Sequence, residues 1–334
     1  MRKIFILGLL ICMSFTTTAQ DNNVKTAFDS IYNHISSASV YRANVDWSKV
    51  KPKVYDLAKD ATAIEDLAPA IEYLLEALDD GHGKVIYRRK FLAYYVNSKP
   101  HLKDFDNELY NKIQYVQEYP FKAENINGIG YIRIVGLPMG DNQKMAKDIQ
   151  DRVCELVADG VKNWIIDLRY NGGGNMNPMV EGITAILKDN GNVGGAKGLT
   201  PDEDMLYRIE DDSFYNGGYS ISLEEDCAVE EAPKIGVMLS NYTASSGEAL
   251  AAILKKRPKT RFFGGNSYGL TTATNWYPVN DSLFVTISTQ HFMDREGVIY
   301  KDYIPVDHEL PFTPTNDVNS DASIMQVIKW LQEK

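Results

Sequence analysis

Two adjacent serines, Ser245 and Ser246, sit in the stretch Asn241-Tyr242-Thr243-Ala244-Ser245-Ser246-Gly247-Glu248-Ala249-Leu250. The apolar run Ile235 to Leu239 leads into it, and a small-residue helix, Glu248 to Lys255, leads out. A serine at such a corner is held exposed beside the unpaired N–H groups of a helix start, a setting suited to attack on a carbonyl. Serine at a helix start also serves as a plain cap with no chemistry attached. A second stretch, Asn171-Gly172-Gly173-Gly174-Asn175, follows the apolar run Trp164 to Leu168. It lacks the Gly-Lys-Ser/Thr ending of a phosphate-binding loop and the spacing of the dinucleotide fingerprint. Its amides suit an oxyanion, or else the run is a tight turn with no ligand. A serine nucleophile needs a base that is neutral near pH 7, usually histidine. Of the five histidines, His34 and His101 lie in polar helical or loop contexts, His291 ends a strand, and His308 follows Pro305-Val306-Asp307. Only His82 is framed by glycines at the end of an element, in Asp79-Asp80-Gly81-His82-Gly83.

The elements that must position these residues follow from hydrophobic period. A first helix is expected around Ala27 to Ile35 and a second from Asp46-Trp47-Ser48, with Val50, Val54 and Leu57 near helical spacing. Leu67, Ile71, Leu74, Leu75 and Leu78 form a clear helical stripe that stops just before His82. Residues 20–84 therefore read as a small N-terminal helical domain. Val85 to Val96 reads as one or two strands, and residues 97–125 as a charged connection without a period. From residue 126 the pattern becomes strand (Ile129 to Val135), helix (stripe Met145, Ile149, Val153, Leu156), strand (Trp164 to Leu168), a βαβ unit with parallel strands and a right-handed crossover. Met179 to Leu187 is expected to be helical, residues 190–232 an insertion of loops and hairpins, Arg261 to Phe263 a short strand, and Asn280-Asp281-Ser282 a hairpin turn. Residues 85–334 are thus read as one core with that insertion.

Asp167-Leu168-Arg169-Tyr170-Asn171-Gly172-Gly173-Gly174 after a strand, the serine corner after the next, and Gly264-Gly265-Asn266-Ser267-Tyr268-Gly269 after a third resemble, in this order, the signature of the S41 serine peptidases. That family includes C-terminal processing peptidases and the tricorn protease core. The resemblance covers roughly residues 126–310, and the Asp-Gly-His element near residue 80 extends it. It implies an α/β fold, a ClpP/crotonase-like core of ββα units behind the helical domain. It makes Ser245 the nucleophile and forms the oxyanion hole from the Ser246 N–H and that of Gly173 or Gly174, Gly173 being preferred. In the processing branch the base is a lysine about 25 residues after the serine; here that place holds Leu270, and Lys259 lies on the wrong side of a strand. The tricorn-like branch uses an early histidine and a late acid, which map to His82 and Asp302. Glu248, one helical turn after Ser245, is the alternative acid or a structural partner. No PDZ-like peptide-binding insertion is evident between His82 and Ile126.

The bulk numbers agree with an ordinary globular chain: 334 residues, 44% hydrophobic and 24% charged. A net charge of −10 argues against a nucleic-acid partner, which would want a basic patch. Arg2 and Lys3, the apolar run Ile4 to Met13 and the small residues to Ala19 read as an export signal, residues 1–19, cleaved after Ala19. The alternative is an uncleaved anchor. Ile11 before Cys12 argues against lipoprotein processing. Cys154 reads as a buried thiol, and nothing in its spacing from Cys227 demands a disulfide. No metal and no cofactor is expected, no stable membrane span remains after signal removal, and no oligomeric state is implied. The expected function is an exported, periplasmic or extracellular serine peptidase acting on a peptide or protein substrate. The alternatives are a catalytically silent ligand- or peptide-binding protein on the same fold, and a crotonase-like enzyme of acyl-CoA, which leaves the export signal and Ser245 unexplained.

Overall fold

The computed structural model of the chain describes residues 15–102, 105–221, 223, 227, 229 and 231–333. The apolar run Ile4 to Met13, and Cys12 with it, lies outside these residues. The chain divides into two units.

The first unit takes in the described residues up to Ser98 together with Thr274–Thr289. Helices α1 (Phe15–Ala38), α2 (Trp47–Ala58) and α3 (Ala68–Leu78) precede strands β1 (Lys84–Tyr87) and β2 (Lys90–Tyr94). Their apolar stripes meet in one cluster: Phe28, Ile31 and Ile35 from α1, Val50 and Val54 from α2, and Ile71, Leu74, Leu75 and Leu78 from α3. Each such side chain, fully buried, contributes about 1.5–3 kcal/mol of transfer free energy. Helices alone leave this cluster open on one side. A sheet closes it: Val85 pairs with Ala93 of β2 and with Val285 of a later strand, both antiparallel, and all three are fully buried. The unit is therefore helices on a sheet, wider than the helical segment 20–84 alone. Helix α3 stops because Asp79 turns left-handed at φ 53.

The second unit comprises Lys99–Ala273 and Gln290–Lys334. After α4 (Asn107–Asn111), β3 (Lys122–Ile126) runs antiparallel beside β4 (Ile129–Arg133). The crossover helix α5 (Asn142–Ala158), capped where Asp141 accepts from Lys144 N–H, then leads to β5 (Asn163–Asp167), parallel to β4. After α6 (Met176–Glu181) and α7 (Thr184–Leu187), the insertion forms antiparallel strands β6 (Gly191–Lys197), β7 (Met205–Glu210), β8 (Ser213–Asn216) and β9 (Tyr219–Ile221). The chain returns through β10 (Ile235–Leu239), α8 (Ser246–Leu254) and β11 (Thr260–Gly264). Beyond β12 (Thr272–Asn280) and β13 (Leu283–Asp294) come β14 (His308–Glu309) and α9 (Ala322–Gln332). Among the described residues, one sheet of this unit has the order β14-β11-β10-β5-β4-β3. Its strands alternate between two cores: Ile132, Ile166, Val237 and Leu239 face α5 and α8, while Tyr131, Ile165, Met238 and Phe263 face α9.

Cys154 and Cys227 form a disulfide that ties α5 to the segment after β9. This corrects the expectation of a buried thiol: 73 residues separate the two in sequence, so only the fold could bring them together. The parallel strands β5, β10 and β11 lie in register, with Met238 opposite Asp167 and Leu239 opposite Gly264. Their C-terminal ends therefore stand side by side, the place where open α/β sheets hold ligands.

Candidate active site

The loop after β10 turns through Ser245 at φ 53 and ψ −117, a region that residues with a Cβ seldom adopt. Hydrogen bonds to the neighbouring loop hold it there. Ser240 Oγ donates to Arg169 O at 2.7 Å, Thr243 Oγ1 to Leu168 O at 2.8 Å, and the Ala244 amide to Asn171 O at 2.9 Å. Arg169 is itself buried against Asp167, whose carboxylate also accepts from Tyr131 OH at 2.7 Å. The helix that Ser245 begins is closed at its start by Glu248, which accepts from the Ser245 amide.

The glycine loop lies directly against this corner. A Cβ on Gly173 would stand 2.7 Å from Ser245 Cβ and 3.2 Å from its Oγ, and Gly173 has φ 107, so glycine is required there twice over. The Gly173 N–H, however, donates to Asn171 Oδ1 at 3.0 Å. Among the described residues the amides of Gly174 and Ser246 carry no such bond, and Ser246 Oγ donates to Gly174 O at 2.6 Å, joining the two.

Glu248 connects the corner to the third loop. It is fully buried. Its Oε2 accepts from the Ser245 amide at 2.8 Å and the Leu270 amide at 2.8 Å; its Oε1 accepts from Ser267 Oγ at 2.5 Å and the Gly269 amide at 2.7 Å. Burial pushes its pKa up to about 7, against the lowering effect of Ser267 and the three amides.

A model of the peptidase family S41 matches residues 128–309, more than half of the chain. The chain belongs to the S41 peptidase family. It is 30% identical over 173 residues to the nisin-resistance protein of Lactococcus lactis subsp. lactis, 51% of this chain and 50% of that protein. It is 25% identical over 171 residues to the carboxy-terminal processing protease CtpA of Bacillus subtilis, 51% of this chain and 32% of that one. The chain thus spans half or less of the length of these curated relatives. In fold it is similar to a lipoprotein from Streptococcus agalactiae, with a TM-score of 0.63, 15% identity and 99% of each chain covered. It is also similar to the photosystem II D1 C-terminal processing protease, with a TM-score of 0.54, 14% identity, and 88% and 93% covered. The mixed α/β fold is that of S41 peptidases.

Within this S41 chain the sequence-expected residues fall unevenly. Ser245, Ser246, Gly173, Gly174 and Glu248 come together in the second unit. Leu270 stands on the loop gathered by Glu248 and offers only its amide. Lys259 follows α8 at the opposite end of the strands, where its carbonyl accepts from the amide of Ile235, the first residue of β10. Asp302 is exposed, and its carbonyl rather than its carboxylate approaches Gly269. His82 belongs to the first unit, where buried Asp80 accepts from the His82 and Gly83 amides and from Ser288 Oγ. Asp80, Asn171 and Ser267 were not singled out from the sequence. The signal for Asp80 and Asn171 was available, since each sits two residues from a residue that was.

Proposed function

We propose that this chain is an exported serine peptidase whose nucleophile is Ser245. The observation that carries the reading is the strained Ser245, presented at the C-terminal ends of parallel strands with a glycine loop against its hydroxyl and a buried carboxylate on its amide. In this reading Ser245 Oγ attacks a peptide carbonyl. His82, assigned as the base on sequence grounds, takes the hydroxyl proton and hands it to the leaving amine; water then releases the acyl group. The Ser246 and Gly174 amides receive the developing oxyanion. The bond from Gly173 to Asn171 supports Gly174 over Gly173. The burial of Glu248 supports it over Asp302 as the acid that organises the site. Export is supported by the Arg2-Lys3 start with its apolar run and by the disulfide, which suits an oxidising compartment, periplasmic or extracellular.

The test is a fluorophosphonate probe read by intact mass and mapped by peptide. A single adduct at Ser245 is expected, which a silent binding protein would not form. Ser245→Ala and His82→Ala should each cut turnover by about 10⁴-fold or more, while Lys259→Ala should leave it unchanged. Loss of activity in Lys259→Ala with a harmless His82→Ala would defeat the base assignment.

A further inference from the structure

The sheet of the first unit has two unlike faces. Val85, Ala93 and Val285 point to the helices and are fully buried. The other face follows from register, because directly opposed residues of antiparallel strands share a face. Ile86 stands opposite Phe91 of β2 and Phe284 of β13, and Lys84 stands opposite Tyr94. Ring contacts join these residues into one surface. The Phe91 ring lies 6.1 Å from that of Tyr94 and 5.5 Å from Lys84 Nζ, and the Trp276 ring of β12 lies 6.1 Å from that of Phe284. Phe91 is 61% exposed, Tyr94 54% and Trp276 60%, with Ile86 and Phe284 half-buried between them. The patch is therefore continuous across β2, β1, β13 and β12. A continuous exposed apolar patch marks an interaction site, as scattered single side chains do not.

The rim of this face carries charge of one sign. Between Asp80 and Asp104 the sequence places Lys84, Arg88, Arg89, Lys90, Lys99 and Lys103 and no acidic residue, in a chain of net charge −10. Arg88 and Arg89 form the turn between β1 and β2, Lys90 opens β2, and each is exposed. Glu65 approaches Arg88 at 4.0 Å; among the described residues Arg89 and Lys90 have no ion pair. Aromatic rings beside Lys and Arg suit a bilayer surface. The rings settle at headgroup level, and each cation near anionic headgroups adds attraction. A second copy docking here about a twofold axis would bring the same basic turn against itself, like charge against like. Four strands make a face about 14 Å wide, broader than one extended peptide covers.

We propose that this face of the first unit docks the chain on a bilayer of anionic phospholipid, with Phe91, Tyr94 and Trp276 at headgroup depth and Arg88, Arg89 and Lys90 against the phosphates. This docking does not depend on the peptidase reading.

The unaltered chain is sedimented with vesicles of phosphatidylglycerol and phosphatidylcholine in equal parts, and with vesicles of phosphatidylcholine alone. Pelleting with the first and at least tenfold weaker binding to the second are expected, and the first should weaken as salt is raised. Binding should shift tryptophan fluorescence to the blue. Trp276→Tyr should still pellet, without that shift. Phe91→Ser/Trp276→Ser should bind roughly tenfold or more weakly, and Arg88→Gln/Arg89→Gln/Lys90→Gln roughly a hundredfold more weakly, each variant keeping a cooperative urea transition. Leu206→Ser, at an exposed apolar residue of the second unit, should bind as the unaltered chain does. A folded unaltered chain that stays in the supernatant with both vesicles, or that binds both equally, overturns the proposal. So does undiminished binding of Phe91→Ser/Trp276→Ser. A dimer in light scattering that this double variant dissociates would give the face to a second copy and overturn the proposal likewise.

Discussion

A residue other than glycine at positive φ costs about 1–3 kcal/mol and persists only where its surroundings over-determine it. At Ser245 those surroundings are Asn171, Ser240 and Thr243 on one side and Glu248 on the other. Each oxygen of Glu248 accepts two donors, so Glu248→Gln must turn an NH₂ group toward two of them whichever way the amide sits. Stability should fall by about 2 kcal/mol or more, read by urea unfolding, and fluorophosphonate labelling of Ser245 should slow. Unchanged labelling would mean that the corner is held without the carboxylate. Gly173→Ala is a second test at this scale. Its Cβ would collide with Ser245 Cβ at 2.7 Å from a left-handed backbone, so labelling should be lost while unfolding still reports a cooperative domain.

Among the elements, the order β11-β10-β5-β4 decides where the chemistry gathers. Three parallel strands end together, so three loops far apart in sequence become neighbours, and α8 starts beside Ser245 among them. The crossover helix α5 is held to the sheet by Ile149, Val153 and Leu156 and to the insertion by the Cys154–Cys227 disulfide. Closing a loop of this length limits the unfolded chain, and its removal costs typically about 2–4 kcal/mol. Cys154→Ala/Cys227→Ala should lower the denaturant midpoint accordingly, and a reducing agent should bring the unaltered chain to the same midpoint. A midpoint insensitive to both would show that the bridge does little in the folded protein.

For the molecule as a whole, buried titratable groups couple stability to pH, Glu181, Glu248 and His291 among them. Burial pushes Glu181 up to about 7, as it does Glu248. The folded chain then keeps protons that the unfolded chain, with carboxyl groups near 4.5, has released. This contribution is fully present below about 4.5 and is lost as pH rises through about 7. His291 runs the other way. Burial, with Lys301 adding to it, holds His291 down to about 4 from 6.5, so its contribution is present above 6.5 and is lost as pH falls toward 4. Above 6.5 the two glutamates outweigh what remains of the His291 change. The unfolding free energy should therefore decline between pH 6.5 and 7.5, and Glu181→Gln, away from Ser245, should flatten that decline in pH-stepped urea titrations. A rising curve in this window would contradict the assignment.

What the sequence determined alone was whatever depends on near neighbours. The stripes of α3 and α5, the apolar runs of β5 and β10, the strand-to-helix corner at Ser245 and the order of three motifs are all readable from spacing, because helix and strand periods are local properties. So was the absence of a lysine at position 270. The tertiary structure alone decided which amide of the glycine loop is already bonded, since Asn171 Oδ1 must fold back onto Gly173. It decided that Glu248 serves two loops at once and that Cys154 meets Cys227. Each of these is a hydrogen bond or contact between distant segments, made only after the parallel strands have brought their ends together, and no period in the chain records it.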